Sequence, residues 1–373
     1  MRVLAHPGDG IGQEVLPAAL AVLRASGLPL ELAEAEAGWA CFQRTGAALP
    51  EATLAAARAA GRGVLFGAVG SPSFPVPGCR NPIVALRKAL DLYANIRPVQ
   101  SRQPTTKNHA SSESGVRASM LGARPVDLVV VRENTEGMYA GRERLEHDGD
   151  TAIAERVITR RASERIVRAA FELARTRAQA RRLQIAGSAG PGQLATRQPR
   201  VTIVHKANVL RETCGLFRSV ALGVAEQYPD VAHDELLVDN CALQLVQRPE
   251  RFDVIVTTNL FGDILSDVAS YWGGGLGQAV SAGSGPGNAR TIRGGAWLRH
   301  PTSPARAWRN PLAAIGCAAL LLEWLAARAG APNGATATGP GASGGGGARA
   351  GSRSAYPRHG RQRQHCGCDA RCF

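Results

Sequence analysis

The sequence predicts an α/β protein, and three observations carry that prediction. Short β-branched runs recur along the chain, within 127–131, 201–204 and 253–256, as in Val129-Val130-Val131. Segments with helical spacing of apolar residues accompany them, at 162–174 and 211–227. A strand, a glycine turn and a helix open the chain: Val3-Leu4-Ala5, then Gly8-Asp9-Gly10-Ile11-Gly12, then 14–25. Strands that alternate with helices are covered on both faces, which is why these runs are apolar throughout rather than every second residue.

Each element follows in order. The opening glycines do not fit the G-x-G-x-x-G phosphate fingerprint, because Gln13 interrupts it, so the segment reads as a tight structural turn. The spacing next predicts a helix over 51–60 and an apolar strand over 63–67, followed by the loop Gly70-Ser71-Pro72. Stretch 101–124 reads as a polar loop. Stretch 178–200 reads as an insertion between a helix and a strand. From about residue 326 the text is low in complexity, with a glycine run at 344–347, and little order is expected there.

Composition narrows the class. With 373 residues, 45% of them hydrophobic, the chain exceeds one small core and fits about two domains. No apolar run approaches the roughly 20 residues of a membrane span, and the start shows no signal-peptide pattern. A soluble, cytoplasmic protein with no membrane partner is expected. The formal charge of +14 suggests a nucleic-acid partner, but its distribution argues otherwise. Stretches 101–124, 175–200, 284–309 and 326–373 hold 22 of the 44 Lys and Arg but only 2 of the 30 Asp and Glu, so the remainder is net acidic. Those stretches offer little aromatic interleaving for stacking on bases, so no nucleic-acid partner is expected. Cys41, Cys79, Cys214, Cys241 and Cys317 are scattered and read as reduced thiols. His365, Cys366, Cys368 and Cys372 crowd the end without a second ligand pair for a zinc site.

Two constellations and one strand end carry the chemistry. Arginines sit in Leu86-Arg87-Lys88, Asn95-Ile96-Arg97-Pro98 and Val131-Arg132-Glu133-Asn134. Three converging guanidinium forks would suit a di- or tricarboxylate, although each alone is also an ordinary surface arginine. Arg132 stands out because it directly follows a buried-type strand, where α/β proteins bind ligands. Asp263 and Asp267 are four apart, so a helix puts both carboxylates on one face. A hard cation such as Mg2+ or Mn2+ would relieve their repulsion, with Asp239 as a third ligand; a helix cap plus a surface charge is the plainer alternative. Lys206, in His205-Lys206-Ala207-Asn208, ends a strand and suits acid–base work, and Tyr139 offers a phenol for proton donation.

Together these segments resemble the metal-dependent β-decarboxylating dehydrogenases, namely isocitrate, 3-isopropylmalate and homoisocitrate dehydrogenases. GDGIGQEV, LRKALDLYANIRP, DLVVVRENTEGMYAG, VTIVHKANVLR, VDNCALQLV and TTNLFGDILSD occur in family order. The resemblance covers about residues 2–100, 125–175, 201–283 and 310–325. EAEAGWACFQRTG, LDLYANIRPVQSR and NCALQLVQRPERFDVIVTTNL look most like bacterial homoisocitrate dehydrogenase.

The resemblance implies a two-domain isopropylmalate-dehydrogenase-like fold, not a Rossmann fold, with three α/β/α layers. Residues 1–98 and 250–325 would form the larger, cofactor-side domain, 99–249 the smaller substrate and dimerisation domain, and 326–373 a tail. It implies that Arg87, Arg97 and Arg132 hold the substrate carboxylates, with Tyr139, Lys206 and Asn208 also lining the substrate. Asp239, Asp263 and Asp267 match the metal ligands, for Mg2+ or Mn2+. Lys206 would be the base for oxidation of the 2-hydroxyl, and Tyr139 would protonate the enolate. Lys206 and Asp239 would reach into a second subunit's site, so a homodimer, or a dimer of dimers, is expected. Ile11, Ser71 and Asn310 match positions along the NAD cleft. The implied reaction is oxidative decarboxylation of homoisocitrate to 2-oxoadipate, in lysine biosynthesis through α-aminoadipate, with isocitrate and 3-isopropylmalate as alternatives. Val84 stands where some homoisocitrate enzymes carry an arginine, and Asn81 near where isocitrate enzymes carry a serine.

One departure from the family is sharp. Where the family has a loop of the type E-P-V-H-G-S-A-P-D-I-A-G, which holds the adenosine of the cofactor, this chain has 293–304 with no acidic residue anywhere in 284–309. The tail lacks the family's last helix and strand. A one-base reading slip in a GC-rich gene generates Arg/Gly/Ala/Pro-rich text of this kind. The alternative of another class is a non-catalytic or cofactor-defective product.

Overall fold

A central sheet organises the chain in a computed structural model, which describes residues 2–60, 63–70, 76–101, 125–186, 197–286, 290–294 and 311–328. The strands are β1 (Arg2–Gly8), β2 (Glu31–Glu34), β3 (Val64–Ala68), β4 (Ala94–Gln100), β5 (Asp127–Glu133), β6 (Glu143–Glu146), β7 (Thr151–Ala154), β8 (Arg200–His205), β9 (Ala232–Leu237), β10 (Val254–Thr257), β11 (Val280–Ser284) and β12 (Arg290–Gly294). The helices are α1 (Gly12–Ala25), α2 (Trp39–Thr45), α3 (Glu51–Ala60), α4 (Pro82–Ala89), α5 (Arg160–Ala186), α6 (Thr213–Ala225), α7 (Val238–Gln247), α8 (Asn259–Ser270) and α9 (Leu312–Arg328). Ten strands form one sheet in the order β2-β1-β3-β12-β11-β4-β5-β10-β8-β9, and β6 pairs with β7 as a separate hairpin. The described residues all fall within one compact unit.

Successive strand residues face opposite ways, and the core shows it. Val129, Val131, Ile203, Val254 and Val256 pack against Ile166, Phe171 and Phe217 of α5 and α6. Leu128, Val130, Val204 and Ile255 face the other way, onto Cys241 and Leu245 of α7 and Leu265 of α8. The same split recurs at the other end of the sheet. Val3, Ala5 and Leu65 meet Leu16 of α1 and Leu321 of α9, while Leu4, Val64 and Phe66 meet Ala57 of α3 and Leu86 of α4. This is the expected three-layer α/β/α arrangement. Segment 250–325 contributes to both ends: β10 and α8 pack with β5 and β8, whereas α9 packs with α1.

Three findings differ from the sequence reading or extend it. The sheet is not uniformly parallel, since β4 runs antiparallel to β5 and to β11, and β11 antiparallel to β12. Helix α5 runs on to Ala186, so the first part of the supposed insertion at 178–200 is helix. Ala, Arg, Leu and Gln in 178–186 are good helix formers, and the charge of Arg181 is neutralised by Asp253, far along the chain. Within the basic stretch 284–309, residues 290–294 form β12, held by backbone pairing to β3 and β11. Residues 102–124, where a polar loop is expected, the stretch 295–310 with Asn310, residues from 329 with their cysteines, and Ser71 lie outside the described residues.

The opening turn has the structural role its sequence suggested. Gly8 has φ +72°, and a Cβ there would lie 1.9 Å from the Ala68 carbonyl oxygen, so only glycine lets β1 and β3 end this close together. The Asp9 carboxylate then accepts from the backbone N–H of Trp39 (2.7 Å), Ala40 (2.9 Å) and Gly70 (2.8 Å). One buried carboxylate thus ties three loops at this edge, next to Ile11 at the start of α1.

Candidate active site

The site lies where β5 and β10 end and β4 begins. Because β4 is antiparallel to β5, Asn95 pairs with Arg132 and Arg97 with Val130, so the two arginines lie two positions apart on neighbouring central strands. Strand β10 runs parallel to β5, placing Thr257 beside Arg132, and α8 starts immediately after it.

Arg132 is buried and held by three side chains. Its Nε and Nη2 donate to Asn259 Oδ1 (2.9 and 2.7 Å), its Nη1 pairs with Asp263, and the Tyr139 ring lies 5.0 Å from its Cζ. Asn259 is fixed in turn, because its Nδ2 donates to the Glu136 carbonyl (2.9 Å). Helix α8 can pass this close only because residue 262 is glycine: a Cβ there would lie 2.6 Å from Arg132 Cβ. The Tyr139 hydroxyl donates to the second oxygen of Asp263 (2.5 Å). Burial raises the Tyr139 phenol above its ordinary range, and the hydrogen bond to Asp263 raises it further.

Asp267 follows one helical turn after Asp263. Burial raises its carboxyl above the usual range, the charge of Asp263 adds to that, and Arg97 and Arg132 oppose it. Arg97 donates from Nε to Asn95 Oδ1 (2.9 Å), and among the described residues no carboxylate lies within ion-pair distance of it. Burial, then the charge of Arg132, lowers its pKa. Arg87, half-buried on α4, lines a small cavity with Asn95, Ser281 and Leu92. Arg97, Arg132, Asp263, Asp267 and Tyr139 are therefore one cluster, and Arg87 lines a cavity with Asn95, which bonds Arg97.

Lys206 and Asp239 form a second group. Lys206 Nζ donates to Asp239 Oδ1 (2.7 Å), and that bond holds the Asp239 carboxyl below its usual range. The backbone of this loop is pinned on both sides. Lys206 N–H donates to Cys214 Sγ (3.3 Å) and Ala207 N–H to His205 Nδ1 (3.2 Å), while His205 Nε2 faces Glu235 (3.2 Å). Asn208 is exposed.

Two carboxylates on one helical face, one of them disfavoured as an anion by its neighbour, fit a hard divalent cation as part of its ligand set. Among the described residues no three His, Cys, Asp or Glu side chains of this one chain converge on a metal position, so Asp239 does not join Asp263 and Asp267 within the chain.

A family model for isocitrate/isopropylmalate dehydrogenase matches residues 2–337. The chain belongs to that family. It is 46% identical over 329 residues to the isocitrate/homoisocitrate dehydrogenase of Thermus thermophilus, covering 87% of this chain and 85% of that protein. It is 44% identical over 327 residues to the 3-isopropylmalate/3-methylmalate dehydrogenase of Methanocaldococcus jannaschii, covering 87% and 86%. The crystal structure of isocitrate dehydrogenase from Methylococcus capsulatus superimposes with a TM-score of 0.70 at 37% identity, covering 89% of this chain and 86% of that one. The family comprises metal-dependent β-decarboxylating dehydrogenases that act on CH–OH groups of small molecules with NAD(P). Among the described residues no helix is long and apolar enough to cross a membrane.

Several residues that build the site were not singled out from the sequence. Asn259 lies inside the quoted TTNLFGDILSD segment, and its place at the first turn of a helix after a buried strand was the available signal. Glu133 is buried and accepts from Thr135 N–H (2.9 Å), Thr135 Oγ1 (2.6 Å) and Glu136 N–H (2.9 Å), which shapes the turn between Arg132 and Tyr139. Asn95 was quoted only as a neighbour of Arg97.

Proposed function

We propose that the protein catalyses NAD- and Mg2+- or Mn2+-dependent oxidative decarboxylation of a 2-hydroxy di- or tricarboxylic acid, with homoisocitrate first and isocitrate and 3-isopropylmalate as alternatives. The observation that carries this reading is Arg97, a half-buried guanidinium whose Nη atoms have no carboxylate partner among the described residues, beside Arg132 and two aspartates. A substrate carboxylate is the natural counter-ion. Arg87 and Arg132 would hold the other carboxylate groups.

Asp263 and Asp267, with Asp239 of the partner subunit, would hold the divalent ion, and Ile11, Ser71 and Asn310 would line the NAD cleft. When bound, these groups supply a Lewis acid at the 2-oxygen and a hydride acceptor. Lys206 of the partner subunit takes the 2-hydroxyl proton as the hydride leaves C2. The β-carboxylate then departs as CO2 and its electron pair stays as an enolate. Tyr139 gives a proton to the enolate carbon, and the arginines keep the remaining carboxylates in place.

The homodimer belongs to the same proposal. Leu243 and Val246 of α7 and Ile264 of α8 are exposed apolar side chains on the helices that carry Asp239 and Asp263. A second copy of this chain would cover them and bring Lys206 and Asp239 to the opposite cluster. The two-domain division at about residues 98 and 250 and a place in lysine biosynthesis are likewise part of this reading.

The test is a panel of homoisocitrate, isocitrate and 3-isopropylmalate with NAD and with NADP, compared by kcat/KM. Homoisocitrate is expected to lead. A lead for 3-isopropylmalate would overturn that choice and agree with the apolar, exposed Val84 one turn before Arg87.

A second reading, a cofactor-defective product, rests on the text of 293–304. With one synonymous choice of codons, Arg293 to Leu298 and the first base of Arg299 spell CGA GGC GGT GCA TGG CTC C. From its second base this reads Glu-Ala-Val-His-Gly-Ser. His300 to Pro304 and the next two bases spell CAC CCG ACA TCG CCG GC. From its third base this reads Pro-Asp-Ile-Ala-Gly. Both match the family loop in order, and successive single-base insertions would move the frame in that sense before it resumes at Asn310. Resequencing codons 284–373 decides it. Removal of single bases that restores the loop leaves the NAD enzyme. Confirmation of the printed text predicts weak or absent NAD binding.

A further inference from the structure

Arg156 lies on the link between β7 and α5, is half-buried, and meets no carboxylate among the described residues. Its Nη2 donates to Thr258 Oγ1 (2.9 Å), and its Cζ lies 4.8 Å from the centre of the Phe261 ring. Its Nη1 donates to Thr213 Oγ1 (3.0 Å) and to Cys214 Sγ (3.0 Å). Thr258 and Phe261 belong to the start of α8, the helix of Asp263 and Asp267. Thr213 and Cys214 start α6, and Cys214 Sγ also accepts the Lys206 N–H (3.3 Å). The next residue, Val157, forms a bridge with Gly137, whose N–H donates to the Val157 carbonyl (2.8 Å), two residues before Tyr139. Two consecutive residues thus touch the α8 start, the α6 start that anchors the Lys206 backbone, and the Tyr139 turn.

We propose that Arg156 is a positioning residue that locks the Lys206 loop against α8, a role that rests on the reaction proposed above. A guanidinium without a counter-ion gains nothing from an ion pair. What its planar fork supplies is geometry, because two rigid arms reach two helices at once. Under the shared-site arrangement, Lys206 serves the partner subunit while Asp263 and Tyr139 serve their own. Arg156 then joins what a subunit lends to what it keeps.

The test compares the full-length protein with Arg156→Met, Arg156→Lys and Thr258→Val. Hydrogen exchange is followed by mass spectrometry across 204–214, with 12–25 as an internal reference, beside kcat and KM on the acid panel. In Arg156→Met, exchange across 204–214 is expected to rise about tenfold with the reference unchanged. The kcat is expected to fall by about tenfold or more while KM stays within about twofold. Arg156→Lys should lie between, and Thr258→Val, which cuts only the α8 arm, should reproduce part of the effect. Unchanged exchange across 204–214, or an equal rise everywhere, overturns the proposal. If Arg156→Met does not fold, Arg156→Lys and Thr258→Val give the same reading. If the parent protein turns over none of the acids, the proposed reaction fails alone, and the exchange data still decide whether Arg156 holds the loop.

Discussion

Strands β5 and β10 carry an arginine–aspartate cluster at each end, and the two are built in opposite senses. At the start of β10, Asp253 is fully buried and accepts from Arg177 Nε (3.0 Å), Arg181 Nη1 and Nη2 (2.9 and 3.0 Å) and Arg200 N–H (3.2 Å). Burial alone would raise its carboxyl, but these partners hold it below the usual range. Asp127 completes the group through Arg177 (3.0 Å). At the far end of the same strands the arginine is the buried member. Arg132 is 3% exposed while its partner Asp263 is 34% exposed, and Arg97 beside them is left without a carboxylate. The first cluster pairs its carboxylates with arginines inside the protein, although Arg181 Nε is buried there without a partner. The second is incomplete on its solvent side, which is what a substrate site requires.

Substitutions at the two ends should therefore separate stability from activity. Arg97→Met is expected to lower kcat/KM by about a thousandfold, since it removes a guanidinium that no carboxylate neutralises among the described residues, with little change in melting temperature. Asp253→Asn should do the reverse, costing about 3–5 kcal/mol of unfolding free energy and leaving kcat of the folded enzyme unchanged. Urea titration beside steady-state kinetics reads both. Equal losses of stability and activity in either variant would erase the distinction between the ends.

A smaller effect tests the incomplete end directly. Mn2+ at about a hundred times its dissociation constant should stabilise the protein by about 2.7 kcal/mol, and Asp267→Asn should abolish that shift while Asp253→Asn retains it. A thermal melt with and without the ion shows this. The smallest expected effect concerns pH. Burial lowers the pKa of His6, whose Nδ1 bonds the Ala35 carbonyl (2.8 Å) and whose Nε2 is buried without a partner. Burial also lowers that of His205, opposed by Glu235. The unfolded chain binds these protons more readily, so stability is present above the ordinary histidine range and is lost as pH falls through it towards the lowered folded values. Melting temperature should drop by a few degrees between neutral pH and pH 5, and His6→Gln should flatten that slope.

Much of the fold was legible because strand and helix periods are local. The runs at 127–131, 201–204 and 253–256 became parallel neighbours, and Asp263 and Asp267 share a helical face as their spacing required. The unread parts depend on distant partners. Residues 178–186 looked like loop because Arg181 had no visible counter-charge, and Asp253, more than seventy positions on, supplies it. The strand at 290–294 is made by pairing rather than by its own pattern. Arg132 and Lys206 were picked out by their place at strand ends, whereas Asn259 acts by touching Arg132, and Glu133 and Arg156 by bonding to the segments around them, which no spacing in the chain reveals.

The sheet order also sets a timetable for synthesis. β3 pairs on one side with β1, and its other neighbour is β12, which leaves the ribosome more than two hundred residues later. β4 likewise waits for β11. The middle of the sheet is therefore the last part to close, and until then two apolar strand edges stand open on a nascent chain. Termination after β4 but before β11 leaves both edges bare and invites self-association, so this chain should depend heavily on chaperones during translation and refold slowly from denaturant.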